Sequence, residues 1–160
     1  MRLPHIVVIA ASTIAVAACN PFHKDPVSEV TRDANVNSRW QASLVTPASL
    51  AGAVQIKGYA TMQPGHNNVD TDFSLNVSNA TPGGVHPWQV HRGQCGADEG
   101  VVGSEGNYKA IKVGEDGNGN SKASVAMPTP TSGSYFVTVR ASAANPETVV
   151  ACGNLAPPAQ

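Results

Sequence analysis

The sequence lacks three features that would point to common classes of protein. It has no run of basic residues, no apolar repeat at the spacing of an amphipathic helix and no internal duplication. The first absence argues against a nucleic-acid partner, because nucleic acids are bound through clustered positive charge. The second argues against an α-helical domain, and the third against a repeat architecture.

Cysteine is scarce, with three residues in 160, and Cys19 stands apart from Cys95 and Cys152. Residues 1–18 carry one early basic side chain, Arg2, and an apolar core at 6–18 that is too short for a stable bilayer anchor. We therefore predict a signal peptide at 1–18. Because small residues directly precede Cys19, the segment resembles the bacterial lipoprotein signal, in which the cysteine becomes the lipidated first residue. The alternative is an ordinary cleaved signal with Cys19 incidental.

The residues after Cys19 indicate where such a lipoprotein would reside. Asn20 is not the aspartate that many lipoproteins of bacteria with two membranes use for retention in the inner membrane. We therefore expect anchoring in the outer membrane, facing the periplasm or the cell surface. Residues 19–37 are polar, proline-interrupted and aperiodic, which predicts a flexible tether. A disordered tail is predicted at 156–160.

The remaining residues suit one domain, predicted at 38–155. Removal of 18 residues from 160 leaves 142, a size that supports a single hydrophobic core. Loss of Arg2 leaves 9 basic against 11 acidic residues, a net charge near −2. Export would place Cys95 and Cys152 in an oxidising compartment, where a cysteine pair is more often a structural bridge than a reactive site.

Alternation of apolar and polar residues at period two predicts an all-β domain. It is clearest at 69–78, where Asp, Asp, Ser, Asn and Ser residues alternate with Val69, Thr71, Phe73, Leu75 and Val77. Eight strands are predicted, separated by Gly, Pro and Asn clusters, at 40–45, 53–62, 69–78, 85–91, 108–113, 122–127, 135–141 and 148–152. Short strands joined by turn-rich loops favour an antiparallel sandwich or flattened barrel.

Two segments resemble the copper/zinc superoxide dismutase family and its secreted bacterial relatives. They are GGVHPWQVHRGQCG at 83–96 and VVACGNL at 149–155. The matching residues are His86, Val90, His91, Cys95, Ala151, Cys152 and Gly153. The resemblance implies an eight-stranded antiparallel Greek-key β-sandwich or barrel and a disulfide from Cys95 to Cys152. Small secreted domains related to chordin repeats also place a His-x-His strand before a closing hairpin, but they generally lack the cysteine pair.

Departures from the family concern the metal ligands. In the family a triple-histidine strand and further imidazoles hold copper, and a zinc site shares one of them. Here Gln89 occupies the central position of that strand, and Arg140 stands where several bacterial relatives have histidine. Arginine carries a permanent charge and does not coordinate metal. The arginine that attracts superoxide in enzymatic members corresponds to Val149.

Strand geometry predicts how the remaining candidates are arranged, because successive side chains point to opposite faces. Trp88 and Val90 mark a buried face, which places His86 inward as a structural histidine bonded to backbone. Gln89 and His91 then point outward, as do Phe136, Thr138 and Arg140 on the strand at 135–141. We expect Gln89, His91 and Arg140 to form one polar patch where relatives hold copper, a former metal site now filled by side-chain hydrogen bonds.

Other candidate ligands are weaker, since each has an ordinary explanation. His66 lies in a turn and is expected to be solvated. Asp98 and Glu99, in a glycine-rich loop, are expected only to keep that loop soluble. The vestigial metal candidates are therefore His86 and His91, and one imidazole with an amide neighbour would bind copper or zinc only weakly.

These observations predict a non-catalytic envelope lipoprotein that acts as a binding or structural module, with no cofactor. The partners expected are the membrane, through the lipid, and an unidentified protein or ligand. Two alternatives remain: a copper-binding protein without turnover, and a copper-dependent superoxide dismutase. Hydrolase chemistry is not predicted, because no nucleophile is paired with a base in any recognisable motif.

Overall fold

A computed structural model describes residues 39–53 and 55–158, and in these residues ten strands form one antiparallel sheet. The predicted signal peptide, Cys19 and the predicted tether lie outside the described residues. The strands are β1 (Trp40–Val45), β2 (Lys57–Pro64), β3 (Thr71–Ser78), β4 (Val85–His86), β5 (Trp88–Gln94), β6 (Ala97–Val101), β7 (Ile111–Val113), β8 (Gly119–Val125), β9 (Tyr135–Ser142) and β10 (Asn145–Leu155).

The sheet curls on itself into a half-barrel. Its strand order is β4-β7-β8-β3-β2-β1-β10-β9-β5-β6. Only Pro87 separates β4 from β5, although the two strands stand at the first and ninth places in that order. A sheet that brings these strands within one residue of each other must bend round, and Arg140 of β9 donates its backbone N–H to the Pro87 carbonyl at 2.8 Å.

Ten strands replace the eight predicted because one predicted strand is divided and one was missed. The segment at 85–91 splits at Pro87, which has no N–H to donate to a ladder. Strand β6 was missed because four of its five residues are exposed and show no apolar alternation. The prediction of an all-β antiparallel domain is confirmed.

The core fills the inner face of the curled sheet, as alternation predicts. Strand β1 buries every second residue, and β3 buries Thr71, Phe73, Leu75 and Val77. The largest fully buried side chains include Trp40 and Trp88. Each indole N–H donates to a backbone carbonyl, so neither ring leaves a polar atom unpaired.

Outside the strands, the described residues contain only two short 3₁₀ turns, Ala48–Leu50 and Glu105–Asn107. No helix in the described part of the chain is both long and apolar enough to span a membrane. Ala156, the first residue of the predicted tail, exchanges two backbone hydrogen bonds with Gln41, so pairing extends one residue beyond β10.

Candidate functional site

The candidate site lies where β5 and β9 run side by side, on the face opposite the core. His91 is directly opposite Phe136, and Gln89 is directly opposite Thr138. The alternation of β5 and β9 therefore sorts the side chains as predicted, with Trp88 and Val90 on the core side. The site residues project from rigid paired strands rather than from loops.

His91 is the centre of this site, and it is not exposed. Its side chain is 1 % exposed, because the Phe136 ring stacks on it with centroids 5.1 Å apart and other side chains cover its edges. The prediction that His91 points outward is right about the face of the strand, but on this face the side chain is buried rather than at the surface. An outer-face side chain is buried here because the β5–β6 hairpin and β9 supply partners that local alternation does not reveal.

Both nitrogens of the His91 ring have partners. Nδ1 lies 3.0 Å from Asp98 Oδ1, and Nε2 lies 3.3 Å from Thr138 Oγ1. A carboxylate only accepts hydrogen bonds, so the His91 Nδ1–H donates to Asp98. In the neutral ring Nε2 accepts a hydrogen bond from the Thr138 hydroxyl. We call these three residues, Thr138, His91 and Asp98, the His91 network.

The electrostatics of Asp98 fit its role as the acceptor of the network. Partial burial acts to raise the pKa of its carboxyl. Hydrogen bonds from the Gly100 N–H and from His91, together with the electrostatic attraction of His91 and Arg140, outweigh that effect and hold the pKa below its usual value of 3.8. The carboxylate thus stays charged and remains an acceptor across the physiological pH range.

The chain brings Asp98 to His91 through a bulge between β5 and β6. The register of this pair shifts between His91 and Gly93, and Gly93 has φ +97°. A Cβ at position 93 would lie 2.2 Å from the Ala97 carbonyl oxygen, so the bulge requires glycine. The predicted role of Asp98 as a merely solubilising acid was therefore incomplete, and no local signal distinguished it from Glu99.

Gln89 and Arg140 lie at the surface beside the His91 network. Both line a depression next to Trp88 and Glu147, and the Arg140 guanidinium donates to the Pro146 carbonyl. Arg140 also borders a second groove, described below, together with Asp98 and Thr138. The predicted patch thus divides into two half-buried members, Gln89 and Arg140, and one buried imidazole.

His86 occupies the position that the sequence predicts. It is 8 % exposed, and its Nδ1 donates to the Arg140 carbonyl at 3.0 Å, which confirms a structural histidine bonded to backbone. Its Nε2 has no hydrogen-bond partner among the described residues. A Cβ at position 84 would lie 2.9 Å from that nitrogen, so any side chain at this position would crowd the His86 ring. His66 is exposed in the turn between β2 and β3.

The disulfide from Cys95 to Cys152 is present, with Cα atoms 6.0 Å apart, and it confirms the expected pairing. It ties the β5–β6 turn to β10. A groove of about 620 Å³ runs beside it, with an apolar floor and charged edges. The lining includes both cysteines, Val45, Phe136, Thr138, Val149, Asp98, Arg140 and Glu147.

These side chains do not fit the copper centre that the family resemblance implies. His91 has both nitrogens engaged, and Gln89 and Arg140 are not imidazoles. His86 Nε2 is therefore the one imidazole nitrogen of this motif without a hydrogen-bond partner among the described residues. Within residues 39–53 and 55–158, no group of three His, Cys, Asp or Glu side chains is placed to hold a metal ion.

The His91 network has the same order of groups, hydroxyl to imidazole to carboxylate, as a nucleophile with its general base. Thr138, however, is only 4 % exposed, and a reacting carbon must come within about 3 Å of the attacking oxygen. Thr138 borders the groove beside the disulfide, but most of its side chain is covered. The hydrogen bonds of the His91 network link β5, β6 and β9.

No protein-family model and no curated protein sequence matches this chain.

Proposed function

We propose that the protein is a lipid-anchored bacterial envelope lipoprotein whose domain is an eight-stranded Greek-key superoxide dismutase-like β-sandwich that has lost most of its metal ligands. In this proposal it acts as a non-catalytic binding or structural module. The ten observed strands correspond to the eight of the family if β4 and β5 are counted as one strand interrupted at Pro87 and β6 is counted as part of a loop.

The observation that carries the proposal is the closed His91 network. A copper ligand must present a free imidazole nitrogen to the metal. In His91 the nitrogen that could do so instead meets the Thr138 hydroxyl. Asp98 holds the other nitrogen, and the neighbouring ligand positions carry an amide at Gln89 and a guanidinium at Arg140.

The disulfide is in line with the family part of the proposal. Cys95 and Cys152 are bonded, as the resemblance implies and as the count of downstream cysteines suggests. A disulfide that closes so long a separation would stabilise the fold of a protein that holds no metal.

Metal content and superoxide turnover test the functional part. We expect the full chain, purified in detergent and equilibrated with copper and then with zinc, to retain much less than one ion per molecule. We also expect superoxide to disappear no faster than in buffer. His66→Ala, which removes an exposed histidine, serves as the matched control for His91→Ala.

Two outcomes would overturn the proposal in favour of its alternatives. Stoichiometric copper with superoxide turnover that His91→Ala abolishes and His66→Ala preserves would establish a dismutase. Stoichiometric copper without turnover would establish a copper-binding protein.

A further inference from the structure

Positive side chains that are far apart in the sequence lie together on the solvent face of five adjacent strands, β7, β8, β3, β2 and β1. Five of the seven Arg and Lys residues among the described residues line two adjoining depressions on this face, against two of the eight acidic residues. The cations are Arg39, Lys57, Lys109, Lys112 and Lys122, and the acids are Asp72 and Asp116. We call this surface the lysine face.

Strand register brings the lysine face together. One row crosses five strands through directly paired residues, with Tyr59 opposite Ser43 and Asn76, and Asn120 opposite Asn76 and Lys112. Four inter-strand steps of about 4.8 Å make this row about 19 Å long. Lys57 lies two residues from Tyr59 on the same face, and Lys122 lies two residues from Asn120.

The centre of the lysine face is an exposed aromatic ring among amides. Tyr59 is 43 % exposed, and it borders both depressions together with Asn76. The depressions have volumes of about 890 and 600 Å³. Among the described residues none of the five cations forms a salt bridge, so their charges are available to a partner.

We propose that the lysine face binds an anionic polysaccharide. Sugar rings present C–H edges that pack on an aromatic ring and hydroxyls that exchange hydrogen bonds with amides, while carboxylates on the sugars pair with lysines. Tyr59, the asparagines and the cations supply these three kinds of group along one row. This proposal holds whether or not the His86 and His91 region binds copper.

The pattern of charge favours a glycan over the other anionic partners. Duplex DNA carries one negative charge per about 1.7 Å, and Asp72 and Asp116 would oppose so dense a charge. A lipid surface is bound through a face with several protruding apolar side chains. On the lysine face the exposed apolar side chains are few: Tyr59 lies near its centre, and Val45 and Val85 lie at its edges, opposite Lys57 and Lys112.

Binding to polygalacturonate tests the proposal. The full chain carrying Cys19→Ala, so that no lipid contributes, is titrated with polygalacturonate, neutral dextran, phosphatidylglycerol vesicles and duplex DNA at low salt. We expect binding to polygalacturonate that weakens as salt rises, and no binding to dextran. Lys122→Gln should weaken it about threefold and Tyr59→Ala about tenfold.

Arg92→Gln is the matched control, because it also removes one exposed cation but lies off the lysine face. It should leave the affinity unchanged. The proposal is overturned if polygalacturonate does not bind, if Arg92→Gln weakens binding as much as Lys122→Gln does, or if vesicles or DNA bind more tightly than polygalacturonate. Thermal unfolding of each variant confirms that it is folded.

Discussion

At the scale of single residues, burial and pairing give His91 a role that its position in the motif does not reveal. Local alternation placed it correctly on the face opposite Trp88, yet it is as buried as a core residue. The cause is three partners from other segments: Phe136 stacks on the ring, while Asp98 and Thr138 occupy its nitrogens. A buried imidazole satisfied at both nitrogens stabilises the fold, and it is not free for chemistry.

Asp98→Asn should destabilise the protein by about 1 kcal/mol at neutral pH, because a charge-assisted hydrogen bond at a half-exposed carboxyl becomes a neutral one. The lowered pKa sets the pH dependence: Asp98 stabilises the folded state above its unfolded value of 3.8, and this contribution is lost as pH falls through the lower folded value. Urea unfolding at pH 7 and at pH 3 measures both effects.

The gap between wild type and Asp98→Asn should therefore narrow at pH 3. Glu99→Gln removes the neighbouring charge outside the His91 network and should change stability little at either pH. An equal loss in both variants would mean that general charge, and not the hydrogen bond to His91, sets the effect.

At the scale of elements, the β5–β6 hairpin is held by two devices that lie far apart in the sequence. The Gly93 bulge aims Asp98 at His91, and the disulfide fastens the hairpin turn to β10. The Cys95 backbone N–H also donates to the Asn154 side chain of β10 at 2.9 Å. An exposed edge strand such as β6 buries little apolar surface, so these contacts compensate for the core that it lacks.

Replacement of both Cys95 and Cys152 by serine should lower the free energy of unfolding by about 4 kcal/mol on the loop-entropy model, because the bridge closes a separation of 57 residues. Chemical denaturation of the double variant, compared with wild type under oxidising and reducing conditions, measures this loss. Reduced wild type should match the double variant. A variant as stable as the oxidised protein would contradict the role given to the bridge.

At the scale of the whole molecule, the curl of the sheet creates two faces with different properties. The lysine face spans β7, β8, β3, β2 and β1, whereas the His91 network and the disulfide lie with β5, β6, β9 and β10. The chain has a formal net charge of −1, so the excess of three positive charges on the lysine face implies an acidic remainder. Because its positive and negative charges lie on different parts of the surface, the molecule would bind an anionic partner in one preferred orientation.

Anchoring to the membrane through a lipid on Cys19 is also a predicted property of the whole molecule. Cys19→Ala should release the protein from the membrane fraction into the soluble envelope fraction, because a lipidated cysteine is its proposed anchor. Fractionation of cells followed by immunoblotting measures the distribution, and Asn20→Ala, which alters the next residue and keeps Cys19, is the control that should stay with membranes. Retention of Cys19→Ala with the membranes would contradict lipidation at this residue.

The sequence by itself determined most of the strands and the core-facing residues within them, and the family resemblance implied the pairing of Cys95 with Cys152. Alternation is a local property, so Trp88 and Phe73 could be assigned to the core from their neighbours alone. The tertiary structure decided which distant residues meet. Asp98 reaches His91 through a bulge, and Lys57, Lys112 and Lys122 share one face, because inter-strand register and sheet curl depend on long-range pairing that no local pattern encodes.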